Sequence, residues 1–244
     1  MTTETSRRDL LKSAAAGTVL LGSGLTLITA QAAQARPPGQ AASAANRWGL
    51  LIDTSKCAPD CTACVDACKV EMGLPGHDRP LTDAQYIRKV DVKDPQSGHQ
   101  HSLPVMCQHC AKPPCVDVCP TGASMKRADG IVLVDRHICI GCRYCMMACP
   151  YKARSFAHED QAGQKSTNPR GKGCVEGCTL CAHRIDAGGQ PACVEACAKD
   201  GGAAMLFGDL ADPKSEISRR VSAQATSRIR ADLGVDPAIR YQGI

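Results

Sequence analysis

Cys139-Ile140-Gly141-Cys142-Arg143-Tyr144-Cys145-Met146-Met147-Ala148-Cys149-Pro150 is the stretch that decides how this chain folds. Three thiols separated by two residues lie on one tight loop and can face a common point. The fourth, three residues on, falls on a short helical turn and points away from the other three. Pro150 then ends the turn, because the residue before a proline is pushed out of the helical region. A thiol turned away in this manner needs partners supplied by another part of the chain.

Such partners stand upstream. Cys107-x2-Cys110-x4-Cys115-x3-Cys119-Pro120 closes with the same Cys-Pro. The spacing is that of the bacterial iron–sulfur run whose fourth cysteine ligates the other cluster of a pair. An exchange follows: Cys107, Cys110 and Cys115 with Cys149, and Cys139, Cys142 and Cys145 with Cys119. Two further groups flank these, Cys57-x3-Cys61-x2-Cys64-x3-Cys68 and Cys174-x3-Cys178-x2-Cys181-x11-Cys193-x3-Cys197. They are expected to form a second exchanging unit: Cys57, Cys61 and Cys64 with Cys197, and Cys178, Cys181 and Cys193 with Cys68. These sixteen thiolates would hold four [4Fe-4S] clusters. Cys174 is left as a spare or a substitute, since Cys174-x3-Cys178-x2-Cys181 repeats the spacing of Cys57, Cys61 and Cys64. Structural zinc uses pairs of cysteines, with a matching pair or histidines, and fits runs of three and four less well. The C-x3-C-x2-C triplet of radical S-adenosylmethionine enzymes would require a long β–α barrel, for which the rest of the chain has no pattern. His109, His137 and His183 are expected to face solvent or to stand behind the ligands.

The composition agrees with this. Among 244 residues there are 17 cysteines but only one Trp, four Tyr and two Phe. An odd cysteine count excludes a fully paired disulfide scaffold. A core so poor in aromatics needs another filler. Ser6-Arg7-Arg8-Asp9-Leu10-Leu11-Lys12 precedes a weakly apolar stretch and two small-x-small sites ending at Ala32 and Ala35. This resembles a twin-arginine export signal over residues 1–35, and a periplasmic protein exported already folded and peripheral to the membrane. Beyond it no apolar run is long enough to span a bilayer. Removing the signal takes three positive and two negative charges from the formal +5, leaving +4. That mild excess gives no case for nucleic acid, and four oxidised clusters at about −2 each would turn it to roughly −4.

Short apolar runs bracket the cysteine loops. Leu50-Leu51-Ile52, Ala123–Lys126, Ile131–Val134, Ala153–Phe156 and Ala204–Phe207 read as strands, with a hairpin turn at Asp129-Gly130. The segments 116–118, 146–148 and 194–196 suit single helical turns. The expected fold class is α+β: two pseudo-symmetric two-cluster ferredoxin-like modules and a C-terminal helix. A four-cluster domain would cover 48–212, with an inner module at 103–158 and an outer one at 48–70 plus 174–208. Residues 69–106 and 159–173 read as polar inserts. Residues 213–244 read as a helical tail, with Ile217, Val221, Ile229 and Leu233 along one face of a helix from 215 to 233. Lys126, Arg143, Lys152 and Arg154 stand near cluster loops, where a cation would stabilise an added electron.

The phrases Cys107-Gln108-His109-Cys110-Ala111-Lys112-Pro113-Pro114-Cys115, Cys149-Pro150-Tyr151-Lys152-Ala153-Arg154 and Pro191-Ala192-Cys193-Val194-Glu195-Ala196-Cys197 resemble those of the four-cluster ferredoxin-type subunits of bacterial respiratory oxidoreductases. These include the tetrathionate, polysulfide and dimethyl sulfoxide reductase types. Arg47-Trp48, Cys57-Ala58-Pro59-Asp60-Cys61 and the run from Gly208 to Pro213 are most similar to the exported ferredoxin-like subunit of the dissimilatory-sulfite-reductase-linked transmembrane complex. The resemblance implies the same cross-pairing and a polytopic quinone-interacting membrane partner. It also implies a periplasmic redox partner, a multihaem cytochrome or a molybdopterin catalytic subunit, in sulfur-compound respiration or oxidation. A molybdopterin oxidoreductase or hydrogenase complex is the alternative setting. Group one departs from it with x3 where most relatives have x2, and group four with the additional Cys174 and no proline. No Ser/His/Asp arrangement, phosphate loop or dinucleotide fingerprint accompanies the cysteines, so an electron relay without its own substrate site is expected. The competing classes are an oxidoreductase with a catalytic cluster and a cysteine-rich zinc-binding structural protein.

Overall fold

The structure, a computed structural model, describes residues 35–244 apart from Pro38, His77 and Ser97. The export-signal reading falls on residues 1–35 and so lies, but for Ala35, outside the described residues. The described chain is α+β, with short helices and four small sheets.

The largest sheet forms around β1 (Trp48–Asp53). Its four central residues are all buried, as expected of a middle strand covered on both faces. β8 (Met205–Asp209) pairs antiparallel on one side and β9 (Ile239–Gln242) parallel on the other. Trp48 stacks on Phe207 across the β1–β8 pair, with ring centroids 5.3 Å apart. Gly208 lets α6 (Glu216–Ala223) lie on this sheet, since a Cβ there would come within 2.7 Å of the fully buried Ile217.

Three two-stranded ribbons surround it: β2 (Ile87–Lys93) with β3 (Gln100–Met106), β4 (Ser124–Lys126) with β5 (Val132–Val134), and β6 (Arg154–Phe156) with β7 (Val175–Gly177). The helices follow the cysteines: α1 (Ala63–Met72), α2 (Pro114–Asp117), α3 (Tyr144–Ala148), α4 (Ala182–Asp186) and α5 (Ala192–Asp200). α1 packs on α5 and ends on Gly73 in the left-handed region, φ 61°, the usual stop for a helix that must turn sharply.

Three expectations change. The stretch 69–106 is not a polar insert: α1 runs to Met72, and Tyr86, Ile87, Leu103 and Met106 at the base of the β2–β3 hairpin are buried in the main core. Only the distal half of the hairpin is exposed, so averaging over the whole segment hid an apolar base. The helix expected over 215–233 stops at Ala223. Ser227 instead exchanges two backbone hydrogen bonds with Tyr241, at 2.7 and 2.9 Å. The tail therefore returns as β9, whose Tyr241 hydroxyl donates to the Pro104 carbonyl. Tertiary pairing here outweighs a weak helical period. Around Cys193 the helix is nine residues long, where a single turn was expected.

Candidate metal centres

All seventeen thiols are free, and sixteen of them converge in four places. Cavity A is lined by Cys57, Cys61, Cys64 and Cys197, which come from the segment before α1, from α1 and from α5. Cavity B is lined by Cys68, Cys178, Cys181 and Cys193. Cavity C takes Cys107, Cys110, Cys115 and Cys149. Cavity D takes Cys119, Cys139, Cys142 and Cys145. Their empty volumes, open mouths included, run from about 270 Å³ in A to about 320 Å³ in C. Cys174 lies outside all four. Its thiol donates to the Arg136 carbonyl at 3.3 Å, and it is buried beside the Cys139 loop.

The loops share a device that the sequence does not announce. In Cys107–Cys110, Cys139–Cys142 and Cys178–Cys181, the residue just before the second cysteine is left-handed: His109 at φ 42°, Gly141 at 70° and Leu180 at 52°. A left-handed residue in such a turn aims backbone N–H groups toward one concavity that suits an anion; in the third loop Cys181 is left-handed too, at φ 50°. Gly141 has a second reason to be glycine, because a Cβ there would strike the Gly173 carbonyl oxygen. His109 and Leu180 hold the same conformation at a steric cost. Backbone N–H groups reach sulfur in three of the cavities: Leu180 to Cys178 in B (3.4 Å), Ala153 to Cys149 in C (3.5 Å), and Ser124 to Cys119 (3.3 Å) and Val175 to Cys139 (3.5 Å) in D.

Burial dominates the thiol electrostatics. It pushes Cys64 and Cys181 up to about 11 and Cys68, Cys107 and Cys110 up to about 12, with neighbouring cysteines adding to the rise for Cys64, Cys68 and Cys110. Burial likewise pushes Cys178 and Cys193 well above the ordinary thiol value. Cys119 differs. Burial acts upward on it, but donors from Ser124, Thr121 and Ala123 outweigh it and hold the thiol below its ordinary value. Loading metal must therefore displace protons from most of these thiols.

The cations separate into two kinds. Arg154 donates to Cys115 Sγ at 3.2 Å. Lys126 instead donates to the Ala111 carbonyl, Lys152 to the Met147 carbonyl, and Arg143 lies over the Phe156 ring, 3.8 Å from its centroid. A cation missed in the sequence, Lys89, donates to Cys57 Sγ at 3.1 Å and to the Ala58 carbonyl. It stands 32 positions from Cys57 on β2, and nothing local marks it. His137 is exposed, and His183 bonds Glu71 at 2.7 Å. His109 is fully buried and accepts from the Val132 N–H through Nδ1. Burial chiefly, helped by Arg47 and Arg154, lowers its pKa to about 3, so it is neutral and carries its proton on Nε2.

The donor set suits iron–sulfur cubes. Each cavity offers four thiols, the usual complement of one [4Fe-4S] cluster. Arg154 Nη1 and His109 Nε2 are buried with no hydrogen-bond partner among the described residues; both residues belong to the surroundings of cavity C. Runs of three and four thiols around one cavity suit a cube better than the paired cysteines of structural zinc.

Comparison with known proteins gives the same chemistry. Residues 99–210 match the family described as "4Fe-4S dicluster domain". The chain is 42% identical over 223 residues to the Hdr-like menaquinol oxidoreductase iron–sulfur subunit 1 of Archaeoglobus fulgidus, covering 80% of this chain and 82% of that one. It is 35% identical over 243 residues to the B component of the tetrathionate reductase of Salmonella typhimurium, covering 99% and 89%. Against the B component of the sulfite dehydrogenase of Allochromatium vinosum the figures are 37% over 212 residues, covering 79% and 81%.

Proposed function

The chain belongs to the iron–sulfur electron-transfer subunits of respiratory oxidoreductase complexes, and on that premise we propose that it is a four-station wire with two chemically different ends. Its ligands are Cys57, Cys61, Cys64 and Cys197 at A; Cys68, Cys178, Cys181 and Cys193 at B; Cys107, Cys110, Cys115 and Cys149 at C; and Cys119, Cys139, Cys142 and Cys145 at D. A [4Fe-4S] cluster supplies one-electron oxidation and reduction. The polypeptide supplies the fixed order, the dry surroundings and the charges.

The order A–B–C–D is the observation that carries this reading. Cys64 of A lies within electrostatic reach of Cys68 and Cys193 of B. Cys178 of B reaches Cys107 of C, and the two line a common cleft with Val132 and Ala153. Cys115 of C reaches Cys145 of D. In this reading A exchanges a cysteine with B, and C with D.

The ends differ in surface. Around D stand exposed apolar residues, Val118, Met125, Ile138, Ile140, Tyr144 and Met147, the last 73% exposed, with Cys142 itself exposed, beside the exposed charges of Asp117, Lys126 and Arg143. Around A the exposed surface carries six charges, Lys56, Asp60, Asp66, Lys69, Lys199 and Asp200, among small residues, with Val70 its one large exposed apolar side chain among the described residues. D therefore docks on the polytopic quinone-interacting membrane subunit. A serves a water-soluble redox partner, a multihaem cytochrome or a molybdopterin catalytic subunit. Among the described residues no helix is long and apolar enough to cross a membrane, which fits a peripheral attachment. The residues of 1–35 then direct export of the folded, loaded protein to the periplasm. Relatives named for menaquinol, tetrathionate and sulfite chemistry favour sulfur-compound respiration or oxidation as the setting. The test is whether a polytopic membrane subunit co-purifies with the full chain from its native membranes. Ile140→Glu with Met147→Glu should release it while leaving bound iron unchanged; retention of the membrane subunit would put the docking face elsewhere.

A further inference from the structure

Arg154 is placed unlike the other buried arginines. Arg170 pairs with Glu176, and Arg240 with Asp236. Arg154, only 9% exposed, forms no ion pair among the described residues. Its Nη2 donates to Cys115 Sγ at 3.2 Å and to Ser124 Oγ at 2.7 Å, and its Nη1 is buried without a partner. The residue lines cavity C and also the cleft that Cys107 and Cys178 share between B and C. Cys115 and Cys107 of C, then Cys145 of D, are the thiols whose charge acts on it most. A guanidinium stays protonated at any ordinary pH. Without a carboxylate, it is tolerated inside a protein only where some other anion compensates it.

Resting on the four-cluster reading above, we propose that Arg154 is the built-in counter-ion of the C and D stations and that it raises the reduction potential of both, C more than D. Each reduction adds one electron and hence one negative charge to the group held by the thiolates. A fixed cation a hydrogen bond away stabilises that added charge in surroundings of low polarity. The guanidinium neither gains nor loses a proton in the step, so at this residue electron uptake is not coupled to protons. Ser124 Oγ orients the fork by accepting from Nη2, which leaves Nη1 free for the group bound in cavity C. Among the described residues no cation donates to a thiol of B; the charge of Glu71 acts on Cys68 and Cys181, and Arg184 opposes it at Cys181 only. Arg154 therefore sets a step between B and C, at the cleft it lines.

The experiment is a redox titration followed by electron paramagnetic resonance on the full chain, loaded anaerobically, as wild type, Arg154→Gln and Arg154→Lys. Cys149→Ser, which keeps an oxygen ligand at that corner and so retains the station, assigns the signal of C by its altered spectrum. At a fixed ambient potential Arg154→Gln should lower the reduced-to-oxidised ratio of C at least tenfold, which is 59 mV for one electron. It should lower that of D less and leave A unmoved. Arg154→Lys should keep the ratio of C within threefold of wild type. If Arg154→Gln holds its iron and acid-labile sulfide with C unshifted, the inference is wrong while the four-cluster reading stands. An equal shift at all four stations also overturns it. Should Arg154→Gln lose iron, Arg154→Lys decides alone: a ratio within threefold supports a charge effect, and a tenfold fall refutes it. Wild-type protein without iron or sulfide would instead overturn the four-cluster reading itself.

Discussion

The A–B half and the C–D half hold the same number of thiols in very different surroundings. A and B are embedded in one continuous core: Leu50 and Ile52 of β1, Tyr86 and Met106 of the hairpin, Ile239 and Tyr241 of β9, all at most 2% exposed. C and D sit in two small clusters, one of Cys110, Cys149, Tyr151 and Ala153, the other of Cys115, Cys145, Val132 and Val175. Half of each is cysteine, and the helices there are four and five residues long, too short to be stable alone. The lesson is that metal is an addition to a folded core in one half and the main part of the core in the other. Binding energy in the second case is folding energy.

The largest effect should come from removing a ligand in the metal-dependent half. Cys149→Ala is expected to lose both C and D, roughly eight irons per chain, and to open residues 107–158 to limited proteolysis. Cys57→Ala should lose only A, roughly four irons, with proteolysis unchanged; equal fragility of the two variants would end the contrast. A change confined to the conventional core should do the converse. Ile217→Ala should cost about 2–5 kcal/mol in urea unfolding with full iron. Loss of iron in step with that stability would show that the sheet and the metal are not separable.

A smaller effect distinguishes the two cations on sulfur. Lys89→Met should lower the potential of A by about 30 mV, a threefold change in reduced fraction, because Lys89 is partly exposed and water screens it. C should not respond, and a shift there would mean that Lys89 acts through the fold. Smaller still, Ser215 caps α6 by accepting from the Ser218 N–H at 3.2 Å. Ser215→Ala should cost about 1 kcal/mol, read as a lower urea midpoint with unchanged slope.

The sequence made the C–D half easy to read for the reason that makes it fragile. Its ligands are close together, its turns are marked by Cys119-Pro120 and Cys149-Pro150, and little but cysteine chemistry constrains it. The hairpin at Asp129-Gly130 was likewise a local signal and forms as β4–β5. The A–B half depends on contacts that local pattern does not carry. β9 joins β1 with Leu50 opposite Ile239, 189 positions apart, and its residues read as part of a helical tail. Lys89 approaches Cys57 from a hairpin whose polar tip masked its buried base. The left-handed His109 and Leu180 had no signal either, since only glycine at 141 advertises that conformation. Among the basic residues, proximity in sequence did not distinguish Arg154, which reaches a sulfur, from Lys126, which bonds a carbonyl.

The central claim is that sixteen thiolates hold four cubes in a row. Iron and acid-labile sulfide, counted on the full chain purified without oxygen, test it most directly. The account predicts about sixteen of each per chain, with visible absorbance that dithionite bleaches. A count well under twelve irons, or one zinc for each set of four thiols and no colour, would contradict it.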